Sequence, residues 1–440
     1  MSDTPGYPLA QLHQVTRRIT DGSHFSPTPR EYGQLIANVK DMKSGEIDFS
    51  TCTRISPAAY RELKATGCTI KNGNVLLSKD GTVGRVVVYR QDDEIGALSS
   101  ICIIEPADQL DAAFLGQALQ SEGCIRQYDN FMSGSALRRL VLRDIRSIKV
   151  PLPESEHQRF IAQVLDTLDT AIHETEAIIA KLKAVKQGLL HDLLTHGIDA
   201  NGELRPPQAE ASHLYKWSPL GWIPKEWDAH VFGDTIEHVI DFRGRTPRKL
   251  GMDWGGGDIL ALSANNVQPG GIDISREAYF GGERLYSKWM TSGDVRKGDV
   301  LLTMEAPLGN VAQIPDDAMY ILSQRVIALR FKPGMVLNDF AFWQMQSTEF
   351  QRAMVKRSTG STATGIQRAE LVKLHFKAPP VDEQLWIAQR LFLVEQKLAS
   401  ELVALDKQKQ EKSGLMDDLL TGHVRVTPLL AEAAQQPGSA

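Results

Sequence analysis

Basic side chains gather in two places where the sequence reads as loop. Lys79, Arg85, Arg138 and Arg139 accompany Ser133 and Ser135 in the first third of the chain. Arg243, Arg245, Arg248, Lys249, Lys356, Arg357 and Arg368 accompany Thr246 and Ser361 further on. Arginine and lysine can grip guanine edges or phosphates, and serine and threonine hydroxyls reach phosphates readily. Each cluster could hold a polyanion, or could be solvated surface charge. Catalytic readings find less support. Gly293 and Gly298 have the spacing of a phosphate-cradling loop, but Asp299 stands where a lysine would have to reach the phosphates. Gly255-Gly256-Gly257 follows no clear strand and reads as a flexible loop. No Asn/Asp-Pro-Pro-Tyr/Phe signature, HExxH pair or carboxylate–lysine metal set stands out in either half. Cys52, Cys68, Cys102 and Cys124 form no CxxC pair and all fall in the first half, so reduced, buried thiols are expected. Tyr286, Trp289 and Trp254 could stack or pack, and packing in the core is the preferred reading.

Two long stretches must position whatever these clusters do. From Ile161 the residues Leu165, Leu168, Ile172, Thr175, Ile179, Leu182, Lys186, Leu189 and Leu193 step by alternating fours and threes, the seam spacing of a coiled coil. Pro151, Pro153, Glu154 and Glu156 suit the head of a helix, and Gly197 suits its end. The same seam returns as Ile387, Leu391, Val394, Leu398, Glu401, Leu405, Gln408, Lys412, Leu415 and Leu419. Gln158 matches Gln384 at an offset of 226, and Lys186 matches Lys412 at the same offset. An unshifted register over the whole stretch points to duplication. Polar interruptions at matched seam positions predict that the two helices pair with each other, since a buried polar seam residue fixes register at a cost in stability.

The globular parts repeat as well. Residues 1–150 read as a mixed α/β domain, with a strand from Val75, an Asp80-Gly81 turn and a returning strand at Arg85 to Tyr89. Asp111 to Tyr128 reads as one helix capped by Asp111. Residues 225–378 echo this plan: Gly298 to Thr303 matches Gly73 to Ser78 at an offset of 225, and Asn338 to Lys356 reads as one helix. Thr359-Gly360-Ser361 matches Ser133-Gly134-Ser135. The expected order is domain 1–150, long helix 151–198, a Pro/Gly-broken connection 199–224, domain 225–378, long helix 379–424 and a disordered tail 425–440. The expected fold is therefore mixed α/β (α+β). Two similar globular domains are separated by two long coiled-coil helices, which give a pseudo-two-fold axis if they pair antiparallel. Two copies of one module at a fixed separation suit a target made of two half-sites.

The net charge of −5 argues against nonspecific coating of nucleic acid but leaves room for a locally basic face. No apolar run is long enough for a membrane helix and no signal peptide is read, so a cytoplasmic protein with no membrane partner is expected.

In its order of parts the chain resembles the specificity subunits of type I restriction–modification enzymes. The carriers are Pro151 to Gln158 and Pro379 to Gln384 at the heads of the long helices, and the helix ends Gly188 to Gly197 and Gly414 to Gly422. Val75 to Gly84, Asp241 to Pro247 and Gly221-Trp222-Ile223-Pro224 with Trp227 complete the set. The first domain, entered through Tyr7-Pro8-Leu9, lacks the Gly-Trp-x-Pro entry. The resemblance implies two target recognition domains that each read half of a split, asymmetric site in double-stranded DNA, with the helices as a ruler. It implies docking of two modification (methyltransferase) subunits that use S-adenosylmethionine, and leaves open restriction subunits that use ATP and Mg. No cofactor is expected on this chain, and no catalysis. The rival readings are a self-sufficient nuclease and a coiled-coil adapter without a role on DNA.

Overall fold

A computed structural model describes residues 6–43, 45–133, 138–276, 278–360 and 364–427. Ser135 and Ser361, and the tail from 428 on, lie outside the described residues. The chain divides into two compact units, Met1–Ile178 with Glu401–Ala440, and Ile179–Ser400.

In the first unit, β1 (Leu9–Gln11) leads through a one-turn helix to β2 (Thr16–Asp21). β3 (Val75–Ser78), β4 (Val86–Val88) and β5 (Ile101–Pro106) join β2 in an antiparallel sheet ordered β2–β5–β3–β4. Side chains alternate across a strand, and here both faces are covered. Val75, Leu77, Cys102 and Ile104 face one apolar cluster, while Leu76, Val87, Ile101 and Ile103 face another. That accounts for the unbroken apolar run of β3. α1 (Ala112–Ala118), α2 (Glu122–Met132) and β6 (Lys149–Pro151) follow, and β6 pairs antiparallel with β1. A smaller sheet is built on Gln34–Ala37, which pairs parallel with Ile95–Ala97. α3 (Ser155–Thr195) then runs on into the second unit.

The second unit repeats the plan. β7 (Asp228–Val231), β8 (Ile236–Asp241), β9 (Val300–Met304), β10 (Leu308–Gln313) and β11 (Val326–Phe331) correspond to β1 to β5, with sheet order β8–β11–β9–β10. α4 (Asn338–Met345), α5 (Thr348–Lys356), β12 (His375–Ala378) and α6 (Val381–Thr421) complete it, with β12 antiparallel to β7. Its core is aromatic: Phe232, Phe331, Phe350 and Phe376 pack with ring centroids 5.1–5.8 Å apart. Gly84 and Gly309, one before β4 and one within β10, both have φ +94°, a conformation that side-chain-bearing residues rarely adopt.

Two details differ from the sequence expectations. The helices expected over Asp111 to Tyr128 and Asn338 to Lys356 are each broken in two. Ser121 and Ser347 cap the second pieces by accepting from the N–H of Cys124 (3.3 Å) and Phe350 (3.2 Å), which favours a new helix start over continuation. Asp111 does cap α1, accepting from Phe114 N–H at 2.9 Å. The connection 199–224 holds an antiparallel hairpin, Tyr215–Ser218 against Gly221–Pro224, closed by the Ser218 hydroxyl on Gly221 O at 2.8 Å. Trp217 and Trp222 sit edge to face on it, exposed, 5.5 Å apart.

The long helices meet inside each unit. In the first, Lys412 lies 2.5 Å from Asp169 and Lys409 lies 2.7 Å from Glu176, so the two segments run antiparallel. Ile161, Leu165, Ile172 and Leu419 are buried there, and Leu168, Leu405 and Leu415 half-buried. In the second unit Lys186 pairs with Glu395 at 2.5 Å. Ile179, Leu193, Ile387, Leu391 and Leu398 are buried, and Leu182, Leu189 and Val394 half-buried. Gln158 and Gln384, at the helix heads, are buried clamps. The Gln158 amide accepts from Asp111 N–H (2.8 Å) and donates to the carbonyls of Gln109 (2.9 Å) and Pro153 (2.8 Å). Gln384 does the same to Leu337 N–H, Met335 O and Pro379 O, each at 2.8 Å.

Candidate nucleic-acid interface

Antiparallel order brings three chain segments to one edge of each main sheet: the end of β2, the end of β3 and the start of β5 in the first unit, and the end of β8, the end of β9 and the start of β11 in the second. In the first unit these are Asp21, Lys79-Asp80 and Ser100; in the second they are Asp241, Met304-Glu305 and Arg325. One backbone bond fixes both edges. Lys79 N–H donates to Ser100 O at 3.0 Å, and Met304 N–H donates to Arg325 O at 2.7 Å.

In the first unit Arg139 reaches this edge as an isolated antiparallel bridge partner of Asp80, with its Nε 3.3 Å from the carboxylate. Arg138 is exposed and donates to Asp129 at 2.9 Å. Ser133 is exposed at the end of α2. Arg85 is exposed, but its guanidinium donates to Met42 O at 3.0 Å. Lys79 must be corrected. Its side chain is 2% exposed, with Nζ 3.2 Å from Asp80 and 3.5 Å from Asp21, so it is an interior counter-ion and not an outward contact. Burial raises the Asp21 pKa above the ordinary carboxylate value, and the nearby charge of Lys79 only partly offsets it.

In the second unit Arg243 folds back on Asp241 as a fork, with Nε at 2.9 Å and a terminal nitrogen at 2.7 Å. Burial pulls the Asp241 pKa up, but the hydrogen bonds from Arg243 and the charges of Arg243 and Arg368 override it and hold the pKa low. Arg245 lies over the Phe242 ring, 4.7 Å from its centroid, and donates to Trp289 O and to the Thr291 hydroxyl. Thr246 caps the short helix Pro247–Leu250 and Lys249 donates to Gly244 O at 2.6 Å, while Arg248 is exposed. Lys356 and Arg368 are exposed, and Arg357 pairs with Glu370 at 3.1 Å. Trp289 is fully buried and donates to Leu322 O at 2.9 Å. Asp299, in the glycine-spaced turn, is buried against Arg330 at 2.6 Å, an interior role.

The first unit's edge therefore holds Arg139 with Asp21 and Asp80, and the second unit's holds Arg243 and Arg368 with Asp241, Glu305 and Arg325; the acidic residues and Arg325 were not among the contacts expected from the sequence. The repeat offset of 225 pairs Asp80 with Glu305 and was the available signal. Away from this edge, Asp417, Asp418 and His423 at the end of α6 are the one group of three or more His, Cys or acidic side chains close enough to share a cation among the described residues. The four cysteines are unpaired thiols, Cys102 and Cys124 buried and Cys52 and Cys68 half-buried. No helix among the described residues is long and apolar enough to cross a membrane.

Comparison with known proteins bears on this arrangement. The family model "Type I restriction modification DNA specificity domain" matches residues 37–184 and 224–408. The putative type I restriction enzyme MjaX specificity subunit of Methanocaldococcus jannaschii is 23% identical over 431 residues, which cover 95% of this chain and 93% of the relative. The MjaVIII specificity subunit of the same organism is 24% identical over 305 residues, 67% of each chain. Among solved structures, the S subunit of a type I restriction-modification system from M. genitalium superposes with a TM-score of 0.59 at 14% identity, covering 96% of this chain and 97% of that one. That likeness shows a shared fold. The two matched segments together span most of the chain, one in each sequence repeat, and the chain belongs to the type I restriction–modification DNA specificity family.

Proposed function

We propose that this chain is the non-catalytic specificity subunit of a type I restriction–modification complex. Each of its domains, 1–150 and 225–378, reads one half of a split, asymmetric site in double-stranded DNA through the sheet edge described above. The observation that carries the reading is the duplicated edge: one backbone framework, two different sets of charged side chains. Such a plan gives two half-sites of unlike sequence. Of the basic residues, Arg139, Arg243 and Arg368 are the edge contacts; Arg138, Arg248, Lys356 and Arg357 are exposed and supply flanking phosphate contacts.

The two helices, each 41 residues long, set the gap between half-sites and dock the modification subunits. Val381, Leu385, Trp386, Phe392 and Leu393 of α6 are exposed, an apolar surface that supports this docking role. The partners would be two modification subunits carrying S-adenosylmethionine, with restriction subunits supplying ATP- and Mg-dependent chemistry, in the cytoplasm. The family match supports neither a self-sufficient nuclease nor an adapter without a role on DNA.

The test is co-expression with a modification subunit and mapping of methylated adenines. A split motif with a fixed gap is expected. Exchange of residues 1–150 for the domain of another family member should change one half-site only; a change in both, or in neither, would overturn the reading.

A further inference from the structure

We propose that Arg325, held against Glu305, reads a G·C base pair and sets one position of the second domain's half-site, and that Arg139 against Asp80 is its counterpart in the first domain. The inference rests on the functional reading above and names the residues that carry it.

The two tips share a framework but not a sequence. Ser100 and Arg325 occupy the same place, as acceptors of the matched bonds from Lys79 and Met304. Asp80 and Glu305 follow those donors, and each forms an isolated antiparallel bridge, with Arg139 and Gly365 respectively. In the first domain the bridge partner supplies the arginine, and the Ser100 hydroxyl turns to Asn38 at 2.6 Å. In the second domain the bridge partner is glycine and the arginine comes from position 325, its Nε 3.7 Å from Glu305. A carboxylate–arginine pair thus stands at the same point of both domains, rebuilt from a different arginine.

Stability does not explain the recurrence. The side chains are 49% and 32% exposed for Arg139 and Asp80, and 47% and 51% for Arg325 and Glu305. Ion pairs that exposed contribute little to folding. The second domain also accepts a backbone cost to place its arginine. Arg325 has φ +66°, one of two non-glycine residues in that region among those described, the other being Ala306 in the facing turn. Strain of this kind persists where the surroundings over-determine it. Here the Met304 bond and the Ala264 N–H on Gln324 O, at 3.3 Å, hold the segment from both sides.

The chemistry points to one base pair. In the major groove guanine offers the acceptors O6 and N7, and its cytosine offers the N4 amino donor. An arginine beside a carboxylate presents the complement, two forked donors next to an acceptor. In this assignment Arg325 takes guanine, and Glu305 orients the fork and accepts from cytosine.

The test uses the full complex with modification subunits, with the methylated motif mapped and competing duplexes varied one base pair at a time. R325G is the informative variant, because glycine adopts the left-handed backbone without cost and the fold is preserved. The expected result is an unchanged or higher melting temperature and a loss of about 10- to 100-fold in preference at one G·C position of the second half-site, with the first half-site intact. R325Q should relax the same position, and R139Q a single position of the first half-site. Full discrimination by R325G at every position would overturn the proposal. So would an even loss of affinity with no position relaxed, the mark of a phosphate contact. A wild-type complex that methylates no split motif would overturn the functional reading and this inference with it.

Discussion

At Gln158 and Gln384 the two domains are one object; at Asp21 and Asp241 they are not. Each glutamine is buried and makes the same three bonds to the same three backbone positions, 226 residues apart. Each aspartate ends the first strand of its sheet, yet one answers to Lys79 from the end of β3, two strands across, and the other to Arg243 two residues on. A buried amide admits few arrangements in which every donor and acceptor is met, so the clamp keeps its geometry while the surroundings diverge. A sheet edge open to solvent has no such accounting to satisfy, and its charges can be re-paired from any loop within reach.

Removing the clamp breaks the comparison most severely. Gln158→Leu or Gln384→Leu orphans a buried N–H and two carbonyls, and each should destabilise its own unit by about 3 kcal/mol. Denaturant unfolding checks this; clearly unequal losses would show that the two clamps are not equivalent. A smaller effect separates the matched lysines of the seam. Lys412→Ala and Lys186→Ala should each cost about 1–2 kcal/mol, since the pairs are only partly shielded. The second change should cost a few tenths more, because Lys186 also lies over the Trp343 ring, 5.4 Å from its centroid. Double-mutant cycles with Asp169 and Glu395 measure the pairing itself.

The smallest effect is one of sign. Asp241 has a pKa below its unfolded value, so its contribution to stability is present above the unfolded value and is lost as pH falls through the folded one. Asp21 has a raised pKa, so its contribution is present below the unfolded value and is lost as pH rises through the folded one. As pH falls from neutral towards the acid range, the wild type should lose stability relative to D241N and gain it relative to D21N. Parallel slopes in unfolding measured across that range would refute the contrast.

The periodic parts of this fold were legible because their causes are local. A seam that repeats every three or four residues reports one buried stripe, and the second half of the chain repeats its register position for position. The Asp-Gly turn after β3 was legible for the same reason. Lys79 was misread because its burial depends on Asp21, which the sheet brings beside it from far earlier in the chain. Ser121 and Ser347 break their helices although the apolar pattern runs through them, since a capping hydroxyl leaves periodicity unchanged. Arg325 was invisible because no glycine marks its left-handed turn.

The seam lysines have a consequence for how such a molecule could let go. Lys412 and Lys186 are 12% and 17% exposed, tucked against their carboxylates, whereas Arg139 and Arg325 at the sheet edges are about half exposed. Rising ionic strength weakens an exposed grip on a polyanion steeply through counterion release, while shielded pairs feel screening much less. On the function proposed here, salt would then act as a release handle that leaves the gauge untouched, and the protein would come off its track still set to the same gap.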